Sequence, residues 1–202
     1  GRLVEKLTGL GLLEDTIIVF QADNGHSVEE RAHFGGGDAG PHRAAKFSMF
    51  EGGIRVPAVI SWPGQLPEGE VREQVGHGCD WMPTLVELCG VTPPDAALDG
   101  KSLVPVLRSG EAPTPHDVLH WHTGMGPRAQ WAVRRGDWKL IGNPVDPVHP
   151  DSLTRADELF LCNLAQDIGE TRNLAGEHPE RVKELKALHE AWLSEMPPER
   201  EG

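Results

Sequence analysis

The chain has 202 residues, of which 38% are hydrophobic and 25% charged, and its formal net charge is -12. This length is enough for one large domain or two small ones. The acidic balance disfavours binding to a nucleic-acid backbone, which needs clustered Lys and Arg. No stretch approaches the ~20 apolar residues of a membrane-spanning helix. The three cysteines form no CxxC pair, so a structural zinc site is not expected.

The first part of the chain has the pattern of an α/β domain. Apolar residues at helical spacing predict that residues 2–11 end a helix. The continuous β-branched run at residues 16–20 predicts a strand buried on both faces, as is typical of a parallel sheet. Residues 55–62 have the composition of the next strand, which Pro63 and Gly64 end.

A short helix and a connector follow these strands. Residues 81–88 form an apolar helical pattern, for which Asp80 is the expected N-cap. Cys89 lies on this pattern and is expected to be a buried thiol. Residues 92–116 are rich in Pro and Gly and are interpreted as a connector, with a domain boundary near residue 112.

The last part of the chain changes in character. Residues 129–141 predict two short strands around a turn at residues 135–137, and residues 159–164 predict another strand. Residues 179–193 form a charged amphipathic helix. Short strands with one helix are typical of a small α+β unit, so we divide the chain into residues 1–111 and residues 112–202.

Asp23 and Asn24 are the first candidates for a functional role. They lie directly after the first predicted strand, where open α/β sheets bind their ligands. A carboxylate and an amide oxygen suit a hard divalent cation such as calcium or magnesium, although two ligands are too few for tight binding. An Asn-Gly turn in which Asp23 caps a backbone amide explains the same residues.

Lys46 is the second candidate, in a long glycine-rich loop at residues 27–53. Loops of this length are often functional. With no partner evident in the sequence, this ammonium group is a compact charge that could meet an anionic substrate. A solvated surface lysine is the alternative. Just after the loop, Arg55 is placed to pair with Glu51 or to brace the loop.

Several histidines are weaker candidates. His26, His33 and His42 share the long loop and could each act as acid, base, ligand or packing residue. His120 and His122 would point to the same face of an extended segment. They could line a substrate pocket, and ordinary packing explains them equally well.

Taken in order, these segments resemble the C-terminal part of the formylglycine-dependent sulfatases of the alkaline-phosphatase superfamily. The resemblance covers almost the whole chain. The motifs that carry it are ADNG at residues 22–25, Lys46, EGGIRVPAVISWPG at 51–64, DWMPTL at 80–85 and LDGKSL at 98–103.

The resemblance implies both a fold and a chemistry. Residues 1–111 would be the C-terminal portion of a sandwich with a mostly parallel central sheet, and residues 112–202 a small α+β subdomain with an antiparallel sheet and a C-terminal helix. It implies a calcium-dependent sulfuric ester hydrolase acting on a sulfated small molecule or glycan. Asp23 and Asn24 would bind the calcium ion and Lys46 would contact the sulfate. His120 and His122 are not assigned by the resemblance and are candidates for the wall of the substrate pocket.

The chain departs from the family pattern at the nucleophile. Sulfatases of this kind use a formylglycine made from the Cys or Ser of a Cys/Ser-x-Pro-x-Arg motif, and no Cys or Ser here is followed by that pattern. The family's N-terminal acidic pair and its further catalytic His have no counterparts either. We therefore expect a fragment of a longer, exported protein, inactive by itself and prone to aggregate through the exposed strand at residues 16–22.

Two other functions stay open at this stage. A phosphoesterase or phosphonate hydrolase of the same superfamily would share the metal-centred scaffold. A non-catalytic metal-binding or interaction module would keep the fold without turnover, because fold alone does not establish activity.

Overall fold

The computed structural model describes residues 1–30, 33, 35–93, 95–124, 126–154 and 157–196. None of the helices in these ranges is both long and apolar enough to cross a membrane. The elements in chain order are α1 (Arg2–Gly9), β1 (Ile18–Gln21), α2 (Glu51–Ile54), β2 (Ala58–Ser61), α3 (Trp81–Leu88), α4 (Val104–Arg108), β3 (Val118–Thr123), β4 (Gln130–Arg135), β5 (Trp138–Gly142), β6 (Leu159–Asn163) and α5 (Pro179–Glu195).

The chain folds into two compact units, and each unit is assembled from two separate segments. The first unit comprises residues 1–21 and 58–117, and the second comprises residues 22–57 and 118–202. The chain passes into the second unit for the last time after Asp117, close to the expected boundary near residue 112. The long loop predicted from the sequence belongs to the second unit. The division at residues 111 and 112 itself stays a prediction.

The first unit contains a two-stranded sheet. β1 and β2 are antiparallel, with Ile18 opposite Ser61 and Phe20 opposite Val59. The prediction that β1 is buried on both faces is wrong. Its residues are half-buried or exposed, and 65% of Phe20 is exposed. The physical reason is that β2 is its only neighbour among the described strands, so no parallel partner covers it.

The side chain of Asp80 does not cap the helix that follows it, contrary to the prediction from the sequence. The helix spans the expected residues, and Asp80 stands at its N-cap position without a capping hydrogen bond from its side chain. The buried carboxylate instead accepts the backbone N–H groups of His77 at 2.7 Å and Lys101 at 2.8 Å, and it lies 2.7 Å from His116 Nε2. Asp80 therefore ties two loops together.

Two further expectations for this region are corrected. Cys89 is exposed and free, so the prediction of a buried thiol is wrong. It follows α3 as the C-cap residue, at the end of a helix of which only Thr84 is fully buried. The connector also contains a short helix, α4, which packs through Val104 and Val106.

The second unit is built on a four-stranded antiparallel sheet in the order β3-β4-β5-β6. Its central hairpin turns between Arg135 and Trp138, where Gly136 adopts a φ of 58° that favours glycine. The expected strands, antiparallel pairing and C-terminal helix are confirmed. β3 is an additional strand, and it pairs with β4 along six residues from Val118 to Thr123.

The two faces of this sheet have different covers because side chains alternate along a strand. On one face, Leu185 of α5 packs with Val133, Leu140 and Leu161. On the other face, the loop segment packs through buried residues against the sheet; the cluster there comprises Ala44, Met49, Phe50, Ala132, Ile141, Phe160, Cys162 and Leu164. The loop that carries Lys46 therefore rests on a packed sheet.

Candidate functional site

Asp23 and Asn24 form a tight turn at the start of the second unit. Asp23 is exposed, and its Oδ1 accepts the backbone N–H of Asn24 at 3.1 Å. The amide group of Asn24 donates to the carbonyl oxygen of Gly25 at 2.8 Å. This bond uses the nitrogen of the Asn24 amide. The amide oxygen, Oδ1, accepts no hydrogen bond within the described residues. The backbone-capping interpretation of Asp23 is thus confirmed, and it leaves oxygen atoms free for a cation.

Three glycines pack the turn against the segment that follows. The N–H of Gly25 donates to the carbonyl oxygen of Gly53 at 2.9 Å, and the N–H of Gly52 donates to Arg43 at 2.7 Å. A Cβ atom on Gly25 would overlap the carbonyl oxygen of Gly52, and one on Gly53 would overlap that of Ser48. The ADNG and EGG motifs consequently meet backbone to backbone, which explains their glycines.

Lys46 is attached to the same turn through the main chain. Its N–H donates to the carbonyl oxygen of His26 at 2.9 Å, two residues beyond Asn24. Its Nζ lies 3.7 Å from Glu29, with both side chains more than a quarter exposed, so it has a partner that the sequence did not reveal. Such a pair is weak.

The backbone on both sides of Lys46 is strained. Ala44 has a φ of 67° and Phe47 a φ of 75°, in the left-handed region that non-glycine residues rarely adopt. Phe47 also places its ring 4.9 Å from the Lys46 ammonium group. Strain of this kind is concentrated at functional sites, where surrounding contacts hold it in place. Around Lys46, the close contacts of Gly25, Gly52 and Gly53 and the packing of the loop on the four-stranded sheet hold the backbone in this conformation.

The loop histidines separate into two groups. His26 and His42 are half-buried and line a common cleft in the second unit. His33 is exposed and lies outside that cleft. His26 is joined to Lys46 through its carbonyl group, so it is the loop histidine that the structure brings to the site.

His120 and His122 lie on the other face of the sheet. Their rings contact α5, with His120 stacked on Trp192 at 4.9 Å and His122 stacked on His189 at 5.8 Å between ring centroids. They share one face, as the spacing predicted. The structure does not bring them together with Lys46, because the sheet lies between them. Their predicted role in substrate binding stays a prediction to which this placement gives no support.

A buried ionic cluster holds α2 on the sheet. Lys139 of β5 is fully buried, and its Nζ lies 2.8 Å from Glu51 and 3.0 Å from Glu170. Glu170 in turn accepts the backbone N–H of Glu51 at 2.6 Å. Arg55 and Arg134 approach Glu51 at 3.8 and 3.7 Å, which confirms the expected pairing of Arg55 with Glu51.

The cluster changes the pKa values of its members. Burial raises the pKa of Glu170, with the positive charge of Lys139 opposing this effect. Burial acts in the same direction on Glu51, but Lys139 and the two arginines outweigh it and hold the pKa of Glu51 below its ordinary value. Burial would lower the pKa of Lys139, yet the two carboxylates reverse this and raise it. The ammonium group therefore stays charged inside the protein.

Sequence reasoning missed this cluster as a support for the site. The available signal was a lysine within WKLIG, an otherwise apolar strand with no polar alternation. A buried lysine needs a carboxylate partner, but Glu170 lies 31 residues away and Glu51 lies 88 residues away. Local pattern does not identify partners at such separations.

The described residues do not form a complete set of metal ligands. No group of three or more His, Cys, Asp and Glu side chains in these ranges is arranged to hold a metal ion. Asp23 and Asn24 nevertheless fit a hard cation, since both offer oxygen atoms at a turn whose hydrogen bonds already fix its shape. They are suitable as two members of a larger set of ligands.

Comparison with known proteins identifies the family. Residues 1–91 match the Sulfatase family model. The chain is also 34% identical to human arylsulfatase A over 205 residues, which is 93% of this chain and 40% of the human protein. The chain belongs to the sulfatase family. This sulfatase chain thus spans about two fifths of the length of human arylsulfatase A.

Solved structures agree with this assignment. The sulfatase chain is 26% identical to a protein solved in complex with its substrate D-glucosamine-2-N,6-O-disulfate; the TM-score is 0.71, and the match covers 100% of this chain and 39% of that one. It is 25% identical to the phosphonate monoester hydrolase of Agrobacterium radiobacter, with a TM-score of 0.61 and coverage of 94% and 38%. The expected mixed α/β fold with antiparallel strands and a C-terminal helix is confirmed.

Proposed function

We propose that this sulfatase chain supplies the metal-binding turn and the sulfate-binding lysine of a calcium-dependent sulfuric ester hydrolase. The observation that carries the proposal is the glycine packing. Gly25 and Gly53 join the Asp23–Asn24 turn to the segment that bears Lys46. Backbone hydrogen bonds therefore join the oxygen ligands for a cation to the segment that carries the positive charge for an anion. Hydrolysis of a sulfate ester needs both, because negative charge accumulates on the sulfuryl oxygens.

In this proposal Asp23 and Asn24 bind the cation through the carboxylate and the amide oxygen. The cation, when bound, acts as a Lewis acid that withdraws charge from the sulfate oxygens. The Asn24 amide nitrogen donates to the carbonyl oxygen of Gly25, which leaves the amide oxygen available as a ligand. The remaining ligands and the nucleophile would come from the longer protein, consistent with the 40% coverage of arylsulfatase A.

Lys46 would bind a sulfate oxygen as a point charge. Its present partner, Glu29, lies at 3.7 Å and is partly exposed, so the pair is weak enough for a substrate sulfate to replace it. Hydrolysis breaks the sulfur–oxygen bond of the ester and releases an alcohol and inorganic sulfate. Lys46 stabilises the negative charge that accumulates on the sulfuryl oxygens during this step.

A sulfated glycan is the proposed substrate class. The support is the structural similarity to a protein whose substrate is D-glucosamine-2-N,6-O-disulfate. We also propose that the full-length protein is exported, because sulfated polysaccharides are mainly extracellular polymers.

The test uses the full-length protein with sulfate and phosphate esters of the same alcohol. Replacing Lys46 with Ala is expected to lower kcat/KM for the sulfate ester on the order of 100-fold, the usual effect of removing one charge-stabilising group. Asn24→Ala is expected to weaken calcium binding in a titration by about tenfold or more. Lys6→Ala, an exposed lysine in α1, is the matched control and should leave both values unchanged.

The alternatives give different results in the same experiment. Faster turnover of the phosphate or phosphonate ester would replace the proposal with the phosphonate hydrolase function that the second structural neighbour favours. Calcium binding without any turnover of either ester would leave a metal-binding module. Wild-type sulfate turnover in the Lys46→Ala variant would remove Lys46 from the site.

A further inference from the structure

Glu170 lies in the loop after β6, among the contacts that hold residues 43–51, which we name the Lys46 segment. The residue is fully buried, and its φ of 49° lies in the left-handed region that non-glycine residues rarely adopt. A buried carboxylate in such a conformation needs surrounding contacts to hold it. In the second unit these contacts involve both ends of the Lys46 segment.

The main chain of Glu170 binds the first residue of the segment. Arg43 donates from Nη1 to the carbonyl oxygen of Glu170 at 2.9 Å. The same guanidinium group donates to Asp146 at 2.8 Å and to Ser152 at 2.6 Å, and it lies 4.1 Å from the ring centroid of Phe50. These contacts fix the side chain of Arg43 and with it the start of the segment.

The side chain of Glu170 binds the last residue of the segment. Its Oε2 accepts the backbone N–H of Glu51 at 2.6 Å, and its Oε1 lies 3.0 Å from Nζ of Lys139. The two ends of the segment also meet directly, because the N–H of Gly52 donates to the carbonyl oxygen of Arg43 at 2.7 Å. Glu170 therefore contacts both ends of a closed backbone loop.

Lys46 lies between these two anchored ends. The backbone next to it is strained at Ala44 and Phe47, both with positive φ. Strained conformations persist only while the surrounding structure holds them, so loosening either end allows the segment to relax. The ammonium group of Lys46 would then move, and a displacement of about 1 Å at a reacting centre costs on the order of 100-fold in rate.

We propose that Glu170 is a positioning residue for Lys46. It acts through the backbone of the Lys46 segment and not through the substrate, and it keeps the Lys46 ammonium group in one position for a sulfate oxygen. The proposal rests on the proposed function, to which it adds a residue that is distant from Lys46 in the chain.

The kinetic test is a double-mutant cycle in the full-length protein with a sulfate ester. Glu170→Gln keeps the shape of the side chain but replaces one acceptor oxygen with an NH2 donor, so it cannot accept from both Glu51 and Lys139. We expect this substitution to lower kcat/KM about tenfold. In the Lys46→Ala background it should change kcat/KM by less than about twofold, because the group that it positions is absent. Equal losses in both backgrounds would overturn the proposal.

Two further variants separate positioning from stability. Glu177→Gln changes an exposed glutamate of the same loop and should keep the wild-type kcat/KM. Leu185→Ala opens a cavity on the other face of the sheet, so it should lower the denaturation midpoint and still keep the wild-type kcat/KM. If Leu185→Ala lowered kcat/KM as much as Glu170→Gln, loss of stability would explain both results and Glu170 would have no positioning role.

Hydrogen exchange separates this inference from the proposed function, because it needs no turnover. Peptides that cover residues 43–52 report on the amides of Lys46 and Gly52, which are both hydrogen-bonded. We expect these peptides to exchange about tenfold faster in Glu170→Gln than in wild type, Glu177→Gln or Leu185→Ala. Faster exchange in a protein without sulfate turnover would keep the anchoring role of Glu170 and reject the hydrolase. Wild-type exchange in Glu170→Gln, with sulfate turnover present, would reject the anchoring role and keep the hydrolase.

Discussion

Individual glycines hold the proposed site together through their lack of a side chain. Gly25 donates to the carbonyl oxygen of Gly53 and leaves no space for a Cβ atom next to Gly52. Overpacking of this kind forces the backbone apart. The ADNG and EGG motifs therefore encode a backbone contact between Gly25 and Gly53, two residues 28 positions apart in the chain.

Gly25→Ala tests this contact. We expect the substitution to lower the free energy of unfolding by about 2 kcal/mol, because the added methyl group displaces the Gly52 carbonyl. Chemical denaturation of the two proteins measures the difference. Gly36→Ala is the matched control, since Gly36 lies in the same loop with no atom near its Cβ position. Equal stability of both variants would contradict the close packing.

Lys139 is the residue on which the buried cluster depends. Its removal leaves Glu51 and Glu170 facing each other in the interior without a cation between them. We expect Lys139→Met to lower the free energy of unfolding at pH 7 by about 3 kcal/mol or more, as for other broken buried ion pairs. Denaturant midpoints measure the effect, and Lys186→Met, at a half-exposed lysine of α5, is the control.

The pH dependence of that variant provides a second readout. Acidification protonates the two carboxylates that Lys139 no longer neutralises, so the deficit relative to wild type should shrink as the pH falls toward 4. A deficit that is independent of pH would show that lost packing, and not unpaired charge, is responsible.

At the scale of elements, the docking of α5 on the sheet buries histidines. His189 of α5 is buried, neither of its ring nitrogens has a partner within the described residues, and its ring lies 4.4 Å from that of Trp131. Burial lowers the pKa of His189 from 6.5 to about 4, and His120 and His122 act in the same direction. Burial also lowers the pKa of His120. The interface thus favours uncharged imidazoles.

This predicts a loss of stability in acid. Because the folded pKa of His189 is depressed, the unfolded chain binds its proton first as the pH falls below 6.5. The stability that the uncharged His189 contributes is fully present above pH 6.5 and is progressively lost as the pH falls to about 4. We expect a loss of about 2 kcal/mol between pH 7.5 and pH 5 from this residue. Unfolding curves of wild type and His189→Leu measure it, and parallel pH profiles for the two proteins would contradict it.

At the scale of the whole molecule, the first unit exposes much of its apolar surface. Phe20 of β1 and its cross-strand partner Val59 of β2 are 65% and 57% exposed. Further exposed apolar side chains in the same unit are Leu3, Val4, Leu10, Leu12, Val71, Met82, Val91 and Leu98. Surface of this kind marks a contact with other protein or a risk of aggregation.

We therefore expect the 202-residue chain by itself to associate at micromolar concentrations. Light scattering should show particles that grow with concentration, because β1 and β2 present apolar side chains and open edges. Replacing Phe20 with Ser should reduce the scattering, whereas replacing the exposed polar residue Glu68 with Ser should not. A monodisperse wild-type chain with cooperative unfolding would contradict the prediction.

The sequence alone determined the local elements and the family of the chain. The helix at residues 81–88, the strands around the turn at residues 135–137 and the C-terminal helix were predictable, because apolar periodicity and turn residues act over short distances. The ordered motifs from ADNG to LDGKSL gave the resemblance to sulfatases, which the family match and arylsulfatase A support.

Only the tertiary structure decided how these pieces meet. It packed Gly25 on Gly53, gave Lys46 a partner in Glu29 and buried Lys139 between two distant carboxylates. It also placed His120 and His122 against α5, away from Lys46. The physical reason is that burial and charge pairing depend on distance in space, and residues far apart in the chain leave no periodic trace of the contact they make.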